Sequence, residues 1–327
     1  MSTDQKAVGS GARVRLRALA RRLPGSAAYE RRIAELTAEV HRLARPVVDE
    51  APMFVRPGHF YSPIPPLEEI RAQAPRLLGA DPANLAAVNL HIDRQRALLD
   101  ALAPMVASVP FTSEPDGVHR YHYGNFAYGS ADGMFLHLVL RHLRPSRLIE
   151  LGSGYSSACT LDTLDQLGDH ACELTFVDPY PELLLSLLRA GDEERITILP
   201  KLTQDVDLSL FETLRAGDVL FVDSTHVARA GSDVCRLVFD ILPALAPGVV
   251  VHLHDIFPRF EYPLPWIEEG RAWNEAYVLR AFLQYNEAFE IYLWPSLLHL
   301  LDPADLERRF PRMSVGAGAA LWLRKVR

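Results

Sequence analysis

From residue 147 onward, short apolar runs alternate with stretches of helical period, and this rhythm limits the fold more than any other feature of the chain. The runs cover 147–151, 173–178, 195–199, 218–223 and 248–254, with helix-period stretches near 156–167, 181–190, 207–215 and 232–245. Strands that are apolar along nearly their whole length, each followed by a helix, make a parallel sheet covered on both faces. After a helix near 272–286, residues 289–293 and 319–325 read as two more strands. The long link between them favours an antiparallel pair over a crossover unit. The expectation is an α/β fold with a seven-stranded, mostly parallel sheet that closes on an antiparallel hairpin.

The residues before this pattern read differently. Residues 1–22 hold six basic groups (Lys6, Arg13, Arg15, Arg17, Arg21, Arg22) against Asp4, a balance of +5, so the remainder of a chain with net charge −7 sums to −12. So acidic a folded part is poorly suited to phosphate backbones, which excludes nucleic acid as the expected partner. Residues 1–25 read as a disordered basic arm, without the apolar core of a secretory signal. No uninterrupted apolar run approaches the ~20 residues of a transmembrane segment. Three scattered cysteines, Cys159, Cys172 and Cys235, offer neither a disulfide framework nor a metal knuckle. A reduced, cytoplasmic, soluble protein is expected.

Residues 26–110 read as a helical N-terminal extension and 111–327 as the main domain. Tyr29, Ile33, Leu36, Val40 and Leu43 form a helical stripe stopped by Pro46. Docking against the main domain and homo-oligomer formation through this helix both fit so short a stripe. A proline-rich wrap over 46–82 with a short helix at 67–78 follows. A helix over 83–105 is then expected from Leu85, Val88, Ile92, Leu98 and Leu99.

The chemistry concentrates in Ile149-Glu150-Leu151-Gly152-Ser153-Gly154-Tyr155-Ser156-Ser157. A strand ends in an acid, and two glycines then turn the chain tightly and open its backbone to a ligand before a helix starts. The dinucleotide fingerprint G-x-G-x-x-G would need Gly at 157, where Ser157 stands. Neither a nucleophile elbow nor a Walker loop is present.

The string resembles motif I, E-x-G-x-G, of the class I S-adenosylmethionine-dependent methyltransferases, and further strand ends follow in register. Asp178 closes the second strand, Gln204-Asp205 follows the third, Asp223 closes the fourth within Phe221-Val222-Asp223-Ser224-Thr225-His226, and His254-Asp255 close the fifth. The resemblance covers about 180 residues and leaves 1–110 outside. It implies a Rossmann-like methyltransferase fold with S-adenosylmethionine as methyl donor. It also implies a donor site formed by Glu150, Gly152, Ser153, Gly154, Tyr155, Ser156, Asp178, Gln204, Asp205 and Asp223. Asp178 would take the ribose hydroxyls, and either Gln204 or Asp205 the adenine.

Asp223-x-x-His226 with His254-Asp255 is similar, more narrowly, to the metal-dependent sugar O-methyltransferases of the macrocin and mycinamicin type. That likeness implies Asp223 and Asp255 as metal ligands and His226, with Asp223, as the catalytic pair. The sequence departs from the pattern at His254, where an acid is expected; a site of Asp223, His254 and Asp255 would hold Mg²⁺ less firmly and tilt toward Mn²⁺ or softer ions. His252, two residues earlier on the same face, reads as a hydrogen-bonded core histidine. Two aromatic loops, 121–129 and 257–273, serve equally as ligand walls or as packing. The function expected is O-methylation of a hydroxyl on a small-molecule acceptor such as a glycoside. The alternative is a non-catalytic scaffold that keeps the donor pocket.

Overall fold

The computed structural model describes residues 54–79 and 81–327, and Pro57–Arg327 form one compact unit. The basic arm and the striped helix at 26–46 lie outside the described residues. Seven strands make one sheet: β1 Arg147–Leu151, β2 Glu173–Val177, β3 Ile196–Leu199, β4 Val219–Val222, β5 Val250–Leu253, β6 Phe289–Leu293 and β7 Leu321–Lys325. Their order is β3-β2-β1-β4-β5-β7-β6. The first five are parallel, and β7 enters antiparallel between β5 and β6. This is the expected α/β fold, a seven-stranded, mostly parallel sheet closing on an antiparallel hairpin, with strand bounds within two residues of those read from the apolar runs.

Side chains alternate across the pleat and feed two cores. Leu148, Leu174, Phe176, Val219, Phe221, Val250 and Trp322 face one layer, which includes the helix Ser130–Leu143. Ile149, Leu151, Val177, Leu220, Val222, Val251 and Leu323 face the other, with the helix Glu275–Leu283. Both faces are buried, which is why the strands carry no polar alternation.

The helix expected over 83–105 begins later, at Ile92, and runs to Leu102. Residues 81–91 turn instead, with Ala87 and His91 in the left-handed region at φ 61° and 48°. Leu85 still reaches the core and Val88 packs against it, so their spacing reported burial and not a helix. The link from β6 to β7 contains two short helices, Pro295–Leu301 and Pro303–Arg309, each with proline in its first turn. Among the described residues no helix is long and apolar enough to cross a membrane.

The chain runs outward from β1 to β3, then returns to place β4 on the other flank of β1. Ligands in open parallel sheets bind at the carboxyl side of such a reversal. Gly152 and Asp223 meet there.

Candidate functional site

On the β1 side, Gly152 has φ +81°, and a Cβ built on it would lie 1.8 Å from the Asp223 carbonyl oxygen. The glycine is therefore required by the neighbouring strand end, before any ligand is considered. Ser153 donates to Asp178 Oδ2 through both its amide (2.9 Å) and its hydroxyl (2.8 Å). The Tyr180 amide donates to Asp178 Oδ1 at 2.8 Å. Asp178 is thus held in place by the turn it faces. Glu150 is fully buried and accepts from the Ser156 hydroxyl, while its Oε2 has no partner. Burial pushes the Glu150 carboxyl up to about 8, against the opposing pull of Ser156 and Ser157. Tyr155 sets its ring edge-on to His122 and Phe126. After β3, Gln204 and Asp205 share a 3₁₀ turn, Thr203–Asp205. Gln204 Oε1 is buried without a partner whereas Asp205 is exposed.

The other half of the site lies beyond β4 and β5. Asp223, His226 and Asp255 each bring one ligand atom within 4.8 Å of the others. His226 Nε2 is 3.4 Å from Asp223 Oδ1 and 3.6 Å from Asp255 Oδ2. Its Nδ1 is 2.9 Å from Oε2 of Glu275, a buried carboxylate at the start of the helix Glu275–Leu283. The loop is fixed at both ends: the Asn274 and Glu275 amides donate to the His226 carbonyl, and Thr225 bonds to Asp233. His226 and Asp255 both sit in the left-handed region, at φ 59° and 58°. Backbone of this kind costs about 1–3 kcal/mol per residue and persists where the surroundings enforce it.

Burial alone would lower the His226 pKa, but the Asp223 and Glu275 carboxylates outweigh it and hold the imidazolium up to about 10. Burial likewise pulls His254 down, and Asp223, Asp255 and Asp132 together raise it above its ordinary value. His254 sits beside the cluster, not in it, with Nε2 3.6 Å from Asp255 Oδ1 and Nδ1 buried without a partner. Position 226, not 254, therefore supplies the imidazole that faces the two aspartates. His252 is a core residue as expected, but neither ring nitrogen is hydrogen-bonded; it stacks on Phe221 at 3.9 Å and meets Trp322 at 4.5 Å.

A pocket of about 430 Å³ opens beside the cluster, lined among others by Phe126, Asp132, His254, Asp255, Phe257, Trp266 and Arg271. Both aromatic loops contribute to it. In the first, Tyr121 and Tyr128 are packing residues, with the Tyr121 hydroxyl on the Tyr128 and Gly129 carbonyls, while Phe126 remains exposed at the pocket. Arg120 anchors this loop, its buried guanidinium bonded to Asp162, Asp165 and Asp192. In the second, the Arg271 guanidinium lies 4.2 Å from the Trp266 ring and 5.0 Å from that of Trp273, and bonds to Glu269. Glu275 and Asp132 escaped the sequence reading. Both lie on helices far in sequence from the strand ends they serve, so no local motif marks them.

Residues 149–256 match the family described as Methyltransferase domain. That stretch is similar to a methyltransferase domain. It contains the glycine turn, Asp178, Asp223 and Asp255, the last three residues of β1 and all of β2 to β5. An uncharacterised protein of Archaeoglobus fulgidus is 29% identical over 163 residues, 48% of this chain and 72% of that protein. Among solved structures, the chain is similar to the S-adenosylhomocysteine-bound methyltransferase PaMTH1 of Podospora anserina, at 16% identity and TM-score 0.41, over 81% of this chain and 99% of that one. It is also similar to the O-methyltransferase TomG of Streptomyces achromogenes, in complex with S-adenosylmethionine, at 15% identity and TM-score 0.39, over 70% and 89% of the two chains.

Proposed function

We propose that the protein transfers a methyl group from S-adenosylmethionine to a hydroxyl of a small acceptor seated in the 430 Å³ pocket, with a divalent cation held by Asp223, His226 and Asp255. The observation that carries this reading is the convergence of two carboxylates and an imidazole nitrogen, with Asp255 among them lining that pocket and Asp223 against the glycine turn. Three ligand atoms so placed gather excess negative charge, which a divalent cation neutralises. The Glu275 carboxylate on Nδ1 supports the same reading, because a metal-bound histidine commonly gives its second nitrogen to a carboxylate.

When bound, the cation would act as a Lewis acid on the acceptor hydroxyl, whose pKa near ~16 otherwise resists ionisation at neutral pH. The chain's own groups do the positioning. Glu275 fixes the His226 ring so that Nε2 faces Asp223 and Asp255. This arrangement suits His226 as a ligand better than as a free base, since the facing carboxylates keep a proton on an unligated Nε2. On the donor side, the turn at Gly152 and Ser153 would meet the methionine part. Asp178 Oδ1, with one amide bonded, keeps a lone pair for a ribose hydroxyl. Gln204 meets the adenine, and aromatic walls from Phe126, Phe257 and Trp266 exclude water around the acceptor.

The test is release of S-adenosylhomocysteine in the presence of a panel of catechols and glycosides, with the product checked for a gain of one methyl. Turnover that stops on chelation and returns with Mg²⁺ or Mn²⁺ is the expected result. Methylation unaffected by exhaustive chelation would remove the cation from the reading and leave the donor assignment standing.

A further inference from the structure

The pocket floor contains a carboxylate that the donor and cation sites do not use. Asp132 lies in the first turn of the helix Ser130–Leu143 and is 6% exposed. The Ala319 amide donates to its Oδ1 at 2.9 Å, and among the described residues no side chain donates to it. Two glycines make room for it. A Cβ on Gly318, which has φ +70°, would lie 2.4 Å from Asp132 Oδ1, and one on Gly129 would lie 3.3 Å from Oδ2. Of the cationic groups lining the pocket, Arg271 is already bonded to Glu269 and stacked on two tryptophans, and His254 acts on Asp132 through its charge without a hydrogen bond to it. A carboxylate buried at a pocket wall with no side-chain donor gains most from a ligand that brings one, since such charge-assisted bonds are about twice as strong as neutral ones.

Resting on the methyl-transfer reading, we infer that Asp132 is an acceptor-recognition residue. It binds a second hydrogen-bond donor of the acceptor, a hydroxyl or a protonated amine, apart from the hydroxyl that is methylated. The acceptor class is accordingly a ring of sugar size. One face packs on Phe126, Phe257 and Trp266, and the polar edge carries at least one donor beyond the group at the cation. The small residues Gly129, Gly318 and Ala319 keep that edge close to the carboxylate.

Asp132→Asn separates recognition from structure, because the amide oxygen can still accept from the Ala319 N–H while its NH₂ faces the acceptor as a donor. The probes are catechol, which has no donor beyond its two adjacent hydroxyls, phenyl β-glucopyranoside, and the 2-amino-2-deoxy analogue of that glucoside. Each is measured with wild type and variant, by turnover and by calorimetric binding to the S-adenosylhomocysteine-loaded protein. Asp132→Asn is expected to weaken the two sugar probes about 10- to 100-fold in KM or Kd. It should leave catechol, kcat and S-adenosylmethionine affinity within about threefold. A larger loss for the amino sugar identifies an ammonium partner, and equal losses identify a hydroxyl. Unchanged sugar binding in a folded Asp132→Asn protein, with only Asp132→Ala impaired, would overturn the inference by reducing Asp132 to its bond with Ala319. If no probe gives S-adenosylhomocysteine, the methyl-transfer reading fails. The calorimetric comparison still decides the role of Asp132.

Discussion

The two halves of the site treat their acids in opposite ways. At the ends of β1 and β2, Asp178 is bonded by the Ser153 amide and hydroxyl and by the Tyr180 amide, so the fold itself satisfies the charge. Beyond β4 and β5, Asp223, Asp255 and Glu275 surround the His226 imidazole, with His254 beside Asp255, so the acids outnumber the imidazoles that face them. The first half is organised before a ligand arrives. The second, in the proposed reading, would be completed by a cation. A donor that varies little can be met by a finished surface, whereas charge must be gathered where a hydroxyl is to be ionised.

The sharpest way to break this contrast is to neutralise one acid in each half. Asp255→Asn should lower kcat on the order of 10³-fold with donor affinity almost unchanged, because the loss falls on the ionising step. Asp178→Ala should do the reverse, weakening S-adenosylmethionine by about 1.5–3 kcal/mol in calorimetry. Equal effects on both parameters from both substitutions would erase the distinction.

Gly152 is where the halves touch, and its variant tests whether they share one backbone constraint. Gly152→Ala places a methyl against the Asp223 carbonyl in a left-handed conformation. It should cost about 2–5 kcal/mol of stability in urea unfolding. A Gly152→Ala protein of native stability would show that the strand ends separate easily. Next in size, Glu275→Gln should weaken divalent-cation affinity about 10- to 100-fold through His226 alone.

The smallest expected effect concerns the buried acid of the first half. Glu150 titrates at about 8 in the folded chain against an ordinary 4.5. Between these values the unfolded chain releases the proton more readily, so the stability it contributes is full below about 4.5 and lost as pH rises through about 8. Glu150→Gln should therefore flatten the decline in melting temperature over that window. An unaltered pH profile would mean that Glu150 is already ionised in the fold.

The contrast also explains what could be read from the sequence. The sheet was legible because strands buried on both faces, such as 148–151 and 219–222, must be apolar along most of their length, and Gly152 and Asp178 stand at strand ends fixed by that rhythm. The helix over 83–105 was overdrawn because Leu85 and Val88 have helical spacing while Ala87 and His91 turn the chain left-handed. In the second half, Asp223, His226 and Asp255 were visible as strand-end residues. The choice of His226 over His254 as the imidazole facing both aspartates was not, since it depends on Glu275 reaching back from a helix 49 residues later. Asp132 was hidden for the same reason, its cradle being completed by Gly318 near the other end of the chain.

The central claim is that Asp223, His226 and Asp255 hold a divalent cation beside the acceptor pocket. Its most direct test is a titration of the metal-stripped protein with Mn²⁺, followed by electron paramagnetic resonance and repeated on Asp223→Asn and Asp255→Asn. The account predicts a single protein-bound ion per chain in the wild type, with nitrogen coupling from His226, and loss of that ion in either variant. Binding that is absent from the wild type, or that survives in both variants, would contradict it.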